Sequence, residues 1–578
     1  MNPLSHTKKC IPSPAVCVAL VAIVVTSSIL AIAYRQPTKF SGWSFGDAQT
    51  MMTLKNWSKD GIRQSYGLFF PQGWSPVTQL IDLPELRQHA HGISPGAAPG
   101  VGPRLLYTHY PPGYLYPLYA AYEMGFRTAS DLRVVPIFFS AGAVVFLFLT
   151  FQIWFGAWPA AIAASFYLFP DAYRHFAASL SNQPFDDFLR WLLIYLLVSA
   201  NRLGADQHWQ RRDTVCALIF FVLCFSSYDS TLFIVIFGIS YDLLHHRRIR
   251  LQWWAALVVI PLAAYALQLF QNSAYLGWAE ALHDQRAAFQ NKSNARGIAD
   301  YISVFRLLIR LYQMSYTVVP DVVDKVRQCF LGQQTIALTL GAWALVSGVL
   351  FRHKRDLFLA LIFLLCGTAY IFVLPAAAGM SYQPRQLLPF AAAIVAIAVR
   401  GGIDVFRKIA VTVDIDADTR SHPKTRMLLV VAVASAMTAA LLALYRPELN
   451  NVPTPDQEIA IDISHLRTRY PKVVFNIEGF PHGEHSPYVR GYPEVKPELE
   501  YLSDSLLLSF EKPVNLVSDL KRLLALSKVP FTPILLVKDQ AQIDAVKQAA
   551  KAGCADRAQA FAIEQSLALD LTETRSCW

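Results

Sequence analysis

The sequence predicts an α-helical polytopic membrane protein with a small α/β domain at its C-terminal end. Three observations carry that expectation. Hydrophobic residues make up 54% of the 578 residues and charged residues only 16%, with a positive mean hydropathy, which is too apolar for an ordinary soluble chain. Apolar stretches long enough to cross a bilayer recur along the chain. Basic residues gather in short clusters between those stretches, as in "HHRRIR" (His245 to Arg250) and "RHKRD" (Arg352 to Asp356), which is how cytoplasmic loops are marked. That placement also accounts for the net charge of +10 and makes nucleic acid a poor partner.

The elements follow in order. "MNPLSHTKKC" precedes an apolar run from Pro14 to Tyr34. The run is longer than a signal-peptide core and lacks a clean small-residue cleavage site, so it reads as a retained first span with its lysines in the cytoplasm. Further spans are expected near 132–151, 157–170, 184–200, 214–228, 229–244, 252–270, 334–351, 357–374, 387–400 and 427–445, about eleven in all. The third and tenth are short, and the boundary between fifth and sixth is open. Alternation from a cytoplasmic N-terminus puts Arg202, Arg211, Arg212, Arg247, Arg248, Arg250, Arg352, Lys354 and Arg355 inside, whereas the short outer loops hold little beyond Arg174 and Arg385. Residues 1–446 then form the membrane domain, with large outer loops at 35–131 and 271–333, and residues 447–578 lie outside the cytoplasm.

The tail has its own composition. "KVVFNIEG" and "PILLVKD" read as buried strands and Gln540 to Lys551 has helical apolar spacing, hence an α/β domain. It shows no Gly-rich phosphate loop and no triad, so a structural, docking or acceptor-contact role is assigned. The eight cysteines form no zinc pattern. Cys554 and Cys577 either pair in an oxidising compartment or are unrelated thiols. "GISPGAAPGVGP" (Gly92 to Pro103) is a loop by composition.

Candidate chemistry concentrates in the outer segments. "FSGWSFGDAQTMM" places Asp47 close behind the first span, where on this feature alone the N-cap of the helical stretch that follows is the commoner role and a general base the alternative. "YTHYPPGYLYPLY" (Tyr107 to Tyr119) packs three prolines, five tyrosines and a histidine into thirteen residues. Pro111 and Pro112 end one element, Gly113 turns the chain, and an amphipathic run follows that suits the membrane interface. His109 and Tyr110 then face the same cavity as Asp47, unless the stretch is an aromatic belt alone. "FPDAYRHFAASLSNQPFDDFLRW" brings Asp171, Arg174, His175, Asn182, Asp186 and Asp187 to the ends of two spans, where ionisable groups usually line cavities, although some must be helix caps. Asp229 in "FSSYDSTLF" either lines that cavity or pairs with a neighbouring helix. Lys292 and Arg296 either neutralise a phosphate or are solvated. Arg385 in "SYQPRQLLPF" is a phosphate clamp or a snorkelling interfacial arginine.

Taken together, an acidic residue just after the first span, a Tyr/His-Pro-Pro stretch before the second, and "SYQPRQLLPF" before a late span resemble the GT-C glycosyltransferases. Within that superfamily the pattern is similar to the protein O-mannosyltransferases and the lipid A aminoarabinose transferases. The resemblance covers roughly the first 445 residues, and its motifs are short; their order and sidedness supply most of its weight. It implies a transferase that moves a sugar from a polyprenyl-phosphate-linked donor to a lipid, glycan or protein acceptor at the outer membrane face, with inversion. It further implies Asp47 as base, Asp171 or Asp187 as a second acidic group, Arg385 as donor-phosphate ligand, and His109, Tyr110, Arg174, His175 and Tyr382 as substrate contacts. Many relatives carry an acidic pair in the first loop. Here Asp47 stands between Gly46 and Ala48, so a divalent metal stays possible but is not supported by a DxD motif, and no cofactor is certain. A bacterial inner membrane is the expected location. The competing readings are a lipid or polysaccharide transporter and a non-catalytic scaffold of the same fold.

Overall fold

The computed structural model describes residues 13–35, 44–69, 106–200, 210–246, 251–293, 333–350, 354–374 and 382–412, with shorter stretches from 431 onward that include five strands. Helix α1 (Pro14–Ala33) opens with proline in its first turn, where the missing N–H costs nothing. Helix α2 (Ser44–Asp60) and a 3-10 turn (Ile62–Ser65) follow. Next come α3 (Leu115–Glu123), which is the helical run expected after Gly113, and α4 (Ala129–Leu132). Thr128 caps α4, its Oγ accepting from the Asp131 N–H at 3.1 Å.

The bundle continues with α5 (Val134–Phe155), α6 (Ala157–Tyr167), α7 (Asp171–Ala177), α8 (Gln183–Ala200), α9 (Arg211–Cys224) and α10 (Tyr228–His246). The open boundary between the expected fifth and sixth spans falls at Phe225–Ser227. Helices α11 (Leu251–Leu276), α12 (Trp278–Ser293), α13 (Gln333–Leu350), α14 (Lys354–Val373) and α15 (Leu388–Thr412) complete it, α15 being preceded by a 3-10 turn at Gln383–Leu387.

Five helical stretches are long and apolar enough to cross a membrane, at Pro14–Ala33, Ala129–Phe155, Leu251–Leu276, Lys354–Val373 and Gln383–Phe406. The chain is a membrane protein on that ground. Helices also stand at the other expected spans through 400, but α9 has 14 residues, about 21 Å of rise against a core of about 30 Å. Of the expected eleven crossings, length and composition support five among the described residues.

Helix α5 packs along α8 and against α1 and α6, while α15 packs on α6, α13 and α14. Phe151, Trp191, Phe237 and Phe363 fill the space between them. Association of helices within lipid depends on such packing and on close backbone approach. Gly367 of α14 supplies one close approach, since a Cβ there would stand 2.4 Å from the Gln386 carbonyl oxygen. The turn before α15 can lie against α14 for that reason. Charged residues also hold the far end: Arg400 pairs with Asp356 at 2.8 Å.

In the tail, β1 (Lys472–Ile477), β2 (Ser505–Phe510), β3 (Thr532–Val537), β4 (Gln559–Ile563) and β5 (Ser566–Asp570) form one sheet in the order β2-β1-β3-β5-β4. β1 pairs in parallel with β2 and β3, and β5 runs antiparallel to β3 and β4. Two strands stand where "KVVFNIEG" and "PILLVKD" placed them. The helix expected over Gln540–Lys551, the loop at Gly92–Pro103, Arg296, the Lys292 side chain, Cys554 and Cys577 lie outside the described residues.

Candidate active site

Polar side chains converge at the end of the bundle formed by the start of α8, the start of α10 and the turn before α15. Asp186 and Asp187 sit one turn into α8, Asp229 opens α10, and Arg385 and Gln386 come from the 3-10 turn. Arg385 is 1% exposed. Its Nη1 lies 2.5 Å from Asp187 Oδ1 and donates to the Gln183 carbonyl at 2.9 Å. Its Nε and Nη2 have no hydrogen-bond partner among the described residues.

The network spreads from there. Asp187 also pairs with Arg190, which donates to Gln386 Oε1. Gln386 Nε2 donates to Asp229 Oδ2 at 2.6 Å, and Asp229 Oδ1 accepts from Ser227 Oγ and from the Ser230 N–H. Asn182 Nδ2 donates to Asp186 Oδ2 at 2.5 Å and reaches the Tyr110 hydroxyl at 3.4 Å. Asp186 Oδ1 has no partner among the described residues. Three carboxylates and two guanidiniums are thus buried together, with donors and an acceptor left over. Buried polar groups are ordinarily satisfied, and each exception calls for a reason.

The Tyr107–Tyr119 segment forms the adjoining wall. Gly113 donates its N–H to the Phe225 carbonyl at 2.8 Å, and a Cβ there would meet that oxygen at 2.4 Å. Only glycine fits this docking onto the α9–α10 break. The Thr108 carbonyl accepts three side-chain amides, from Gln268, Asn272 and Gln285, at 3.1, 3.0 and 2.8 Å. Thr108 Oγ1 donates to Asp284 Oδ2 at 2.6 Å and His109 Nε2 lies 2.9 Å from Asp284 Oδ1. Burial, with the Asp284 carboxylate adding, pushes the Tyr107 phenol up to about 12. Burial, followed by the Asp229 carboxylate, also raises Tyr110. Both phenols are neutral hydrogen-bond donors near neutral pH.

Asp47 makes its own set of contacts, linked to the Arg385 turn through Ser179, Ser181 and Gln183. It lies in the first turn of α2 rather than at its cap, fully buried. Oδ2 accepts from Arg133 Nη2 at 2.8 Å, and Oδ1 accepts from Ser179 Oγ at 2.8 Å and the Leu180 N–H at 2.7 Å. Arg133 also donates to the Ala178 carbonyl at 2.5 Å and lies over the Tyr34 ring at 4.7 Å.

The structure brings His109, Tyr110, Asp187 and Arg385 into one region, with Tyr382 directly before the Arg385 turn. Asp171 and Arg174 pair with each other within α7, Arg174 lying 5.5 Å from the Tyr445 ring, while His175 is exposed. Asp284, Gln386, Arg190 and Arg133 were not singled out by sequence. Asp284 and Arg133 had no motif to mark them, whereas Gln386 lay inside the "SYQPRQLLPF" stretch. No group of three or more His, Cys, Asp or Glu side chains among the described residues is arranged to hold a metal ion.

No family model and no curated protein matches the chain. Solved structures do. The oligosaccharyltransferase of Archaeoglobus fulgidus in its apo form is 13% identical, with a TM-score of 0.51 over 92% of this chain and 70% of its own. The chain has the GT-C fold. ArnT from Cupriavidus metallidurans, bound to undecaprenyl phosphate, aligns over 95% of this chain and 97% of its own at 12% identity, with a TM-score of 0.49 that is too low to argue from. At such identities the GT-C likeness establishes architecture alone; chemistry has to come from the site.

Proposed function

We propose that this chain is an integral membrane glycosyltransferase. It moves a hexose or pentose unit from a polyprenyl-phosphate-linked donor to a hydroxyl or amine of a lipid, glycan or protein acceptor, at the non-cytoplasmic face of a bacterial inner membrane. The observation that carries the proposal is Arg385, a buried guanidinium with Nε and Nη2 unpartnered beside a wall of neutral phenols. Guanidinium matches phosphate oxygens with paired charge-assisted hydrogen bonds. A donor phosphate would satisfy both open nitrogens and stabilise the charge that develops as the sugar–phosphate bond breaks.

Asp187 and the Gln183 carbonyl hold the guanidinium in place for that task. Asp186 Oδ1, the carboxylate oxygen without a partner, is assigned to a sugar hydroxyl. Asp47 has both oxygens engaged, which favours a scaffolding role over the base role the sequence suggested. Asp171 and Arg174 neutralise each other and are assigned to the rim. A transporter would call for charged or broken helices at the bilayer midplane, whereas this cluster gathers at helix starts.

The test is transfer of a labelled sugar from polyprenyl-phosphate donors to added acceptor lipids, glycans or peptides by the purified protein in lipid nanodiscs. Transfer that is lost in Arg385→Ala while that variant keeps its fold supports the reading. Transfer undiminished in Arg385→Ala removes it.

A further inference from the structure

Asp284 and His109 lie about 175 residues apart in sequence, and neither the resemblance nor the fold assigns Asp284 a task. Resting on the transferase reading above, we infer that His109 is the proton acceptor for the incoming nucleophile and that Asp284 of α12 is the residue that positions it.

The geometry is specific. The Asp284 carboxylate is 2% exposed and takes Thr108 Oγ1 on one oxygen and His109 Nε2 on the other. A neutral imidazole carries one proton, and the nitrogen facing an ionised carboxylate is the one that holds it. Nε2 is therefore the donor, and Nδ1 keeps its lone pair. Nδ1 makes no hydrogen bond among the described residues, and His109 retains 16% exposure, enough for a small group to reach it. The ring cannot easily turn. Tyr107 packs against it at 5.7 Å, and three amides from α11 and α12 fix the carbonyl of the preceding residue. A base whose tautomer and orientation are set in advance by a carboxylate is the arrangement general-base catalysis requires. Tyr110, the next residue, reaches through Asn182 to Asp186, so His109 borders the Arg385 cluster.

The step balances. The acceptor oxygen or nitrogen forms a bond to the anomeric carbon as its proton passes to His109 Nδ1. The bond from that carbon to the phosphate oxygen breaks, its electron pair leaving on the phosphate that Arg385 holds. The imidazolium is steadied at Nε2 by Asp284 and then returns its proton to water.

The experiment uses the full chain in nanodiscs with ¹⁵N-labelled histidine, the His109 signals being assigned by their loss in His109→Gln. The expected spectrum shows a protonated Nε2 and an unprotonated Nδ1, and Asp284→Asn mixes the tautomers while Asp284→Glu restores them. In the transfer assay His109→Gln lowers kcat roughly 100- to 10,000-fold with donor KM unchanged, and Asp284→Asn lowers it on the order of 10- to 100-fold. A protonated Nδ1 in the wild type, full kcat in His109→Gln, or a loss in Asp284→Asn without a tautomer change overturns the inference. If Asp284→Asn does not fold, the wild-type spectrum and His109→Gln decide it. Absence of any transfer by a wild type that still shows protonated Nε2 removes the reaction and leaves the tautomer set by Asp284 standing.

Discussion

Two buried aspartate–arginine arrangements sit at the same end of the bundle and are built differently. In the first, both Asp47 carboxylate oxygens are bonded, and Arg133 directs its terminal nitrogens to Asp47 and to the Ala178 carbonyl. In the second, Asp187 and Arg385 form a shorter contact, 2.5 against 2.8 Å, yet two guanidinium nitrogens and one oxygen of neighbouring Asp186 are left open. A buried ion pair offsets its desolvation only when every remaining donor and acceptor is satisfied. In the Asp47 arrangement both carboxylate oxygens and both terminal guanidinium nitrogens are bonded, and it ties α2 to the starts of α5 and α8. The Arg385 arrangement fails that condition by itself, and an anionic ligand is what would complete it. Nε is open in both guanidiniums; what separates the two arrangements is the open terminal nitrogen of Arg385 and the open oxygen of Asp186.

That contrast can be broken at several points. The largest effect is expected from Arg133→Ala, which leaves the buried Asp47 carboxylate without its cation and costs about 3–5 kcal/mol. A steep fall in thermal stability is the readout, and a double variant Asp47→Asn, Arg133→Gln should recover part of it. A stable Arg133→Ala protein would mean that the Asp47–Arg133 pair is no strut. Next is Arg385→Lys, which keeps the charge but loses the planar fork. Transfer should drop by roughly 100- to 1,000-fold with melting temperature nearly unchanged, the reverse of the Arg133 pattern. Third is Gly367→Ala, whose methyl group meets the backbone oxygen of Gln386. Pushing that turn away should cost about 1–3 kcal/mol and raise donor KM more than it lowers melting temperature. The smallest effect concerns Tyr107. Its folded value lies above the ordinary 10.0, at about 12, so between those values the unfolded chain releases the proton and the folded one keeps it. Stability present below pH 10 is therefore lost as pH rises toward 12, and Tyr107→Phe should flatten that alkaline decline in a melting-temperature series.

Much of this was legible in the sequence, for physical reasons that differ by element. The long helices were, because a bilayer demands runs of apolar residues. The Tyr107–Tyr119 segment and Arg385 were, because proline pairs and an isolated arginine beside a span are conspicuous. Asp284 was not. It stands in "ALHDQRAAF", an ordinary amphipathic stretch, and its importance comes from contacts with Thr108 and His109 that no local pattern encodes. Arg133 was equally silent, reading as a flanking charge before an apolar run. Asp47 was conspicuous, but its partners, 86 and 132 residues further on, were not, so the engagement of both its oxygens could not be read locally. Strands β2, β4 and β5 were missed because "SLLLSF" and the alanine-containing runs near the end are too short for periodicity to separate strand from helix.

The triple mooring of the Thr108 carbonyl also sets a schedule for the molecule's birth. Its last donor, Gln285, is translated 177 residues after Thr108, a delay of roughly 10–35 s at bacterial and eukaryotic ribosome speeds of about 5–20 residues per second. Until α11 and α12 emerge, the Tyr-Pro-Pro segment is held by Gly113 on the Phe225 carbonyl, with the Thr108 carbonyl unmoored. The wall is therefore completed late, by α11 and α12 reaching back to a segment made 160 or more residues earlier, and a ribosome stalled before residue 268 leaves it held at Gly113 but without any of the three amides.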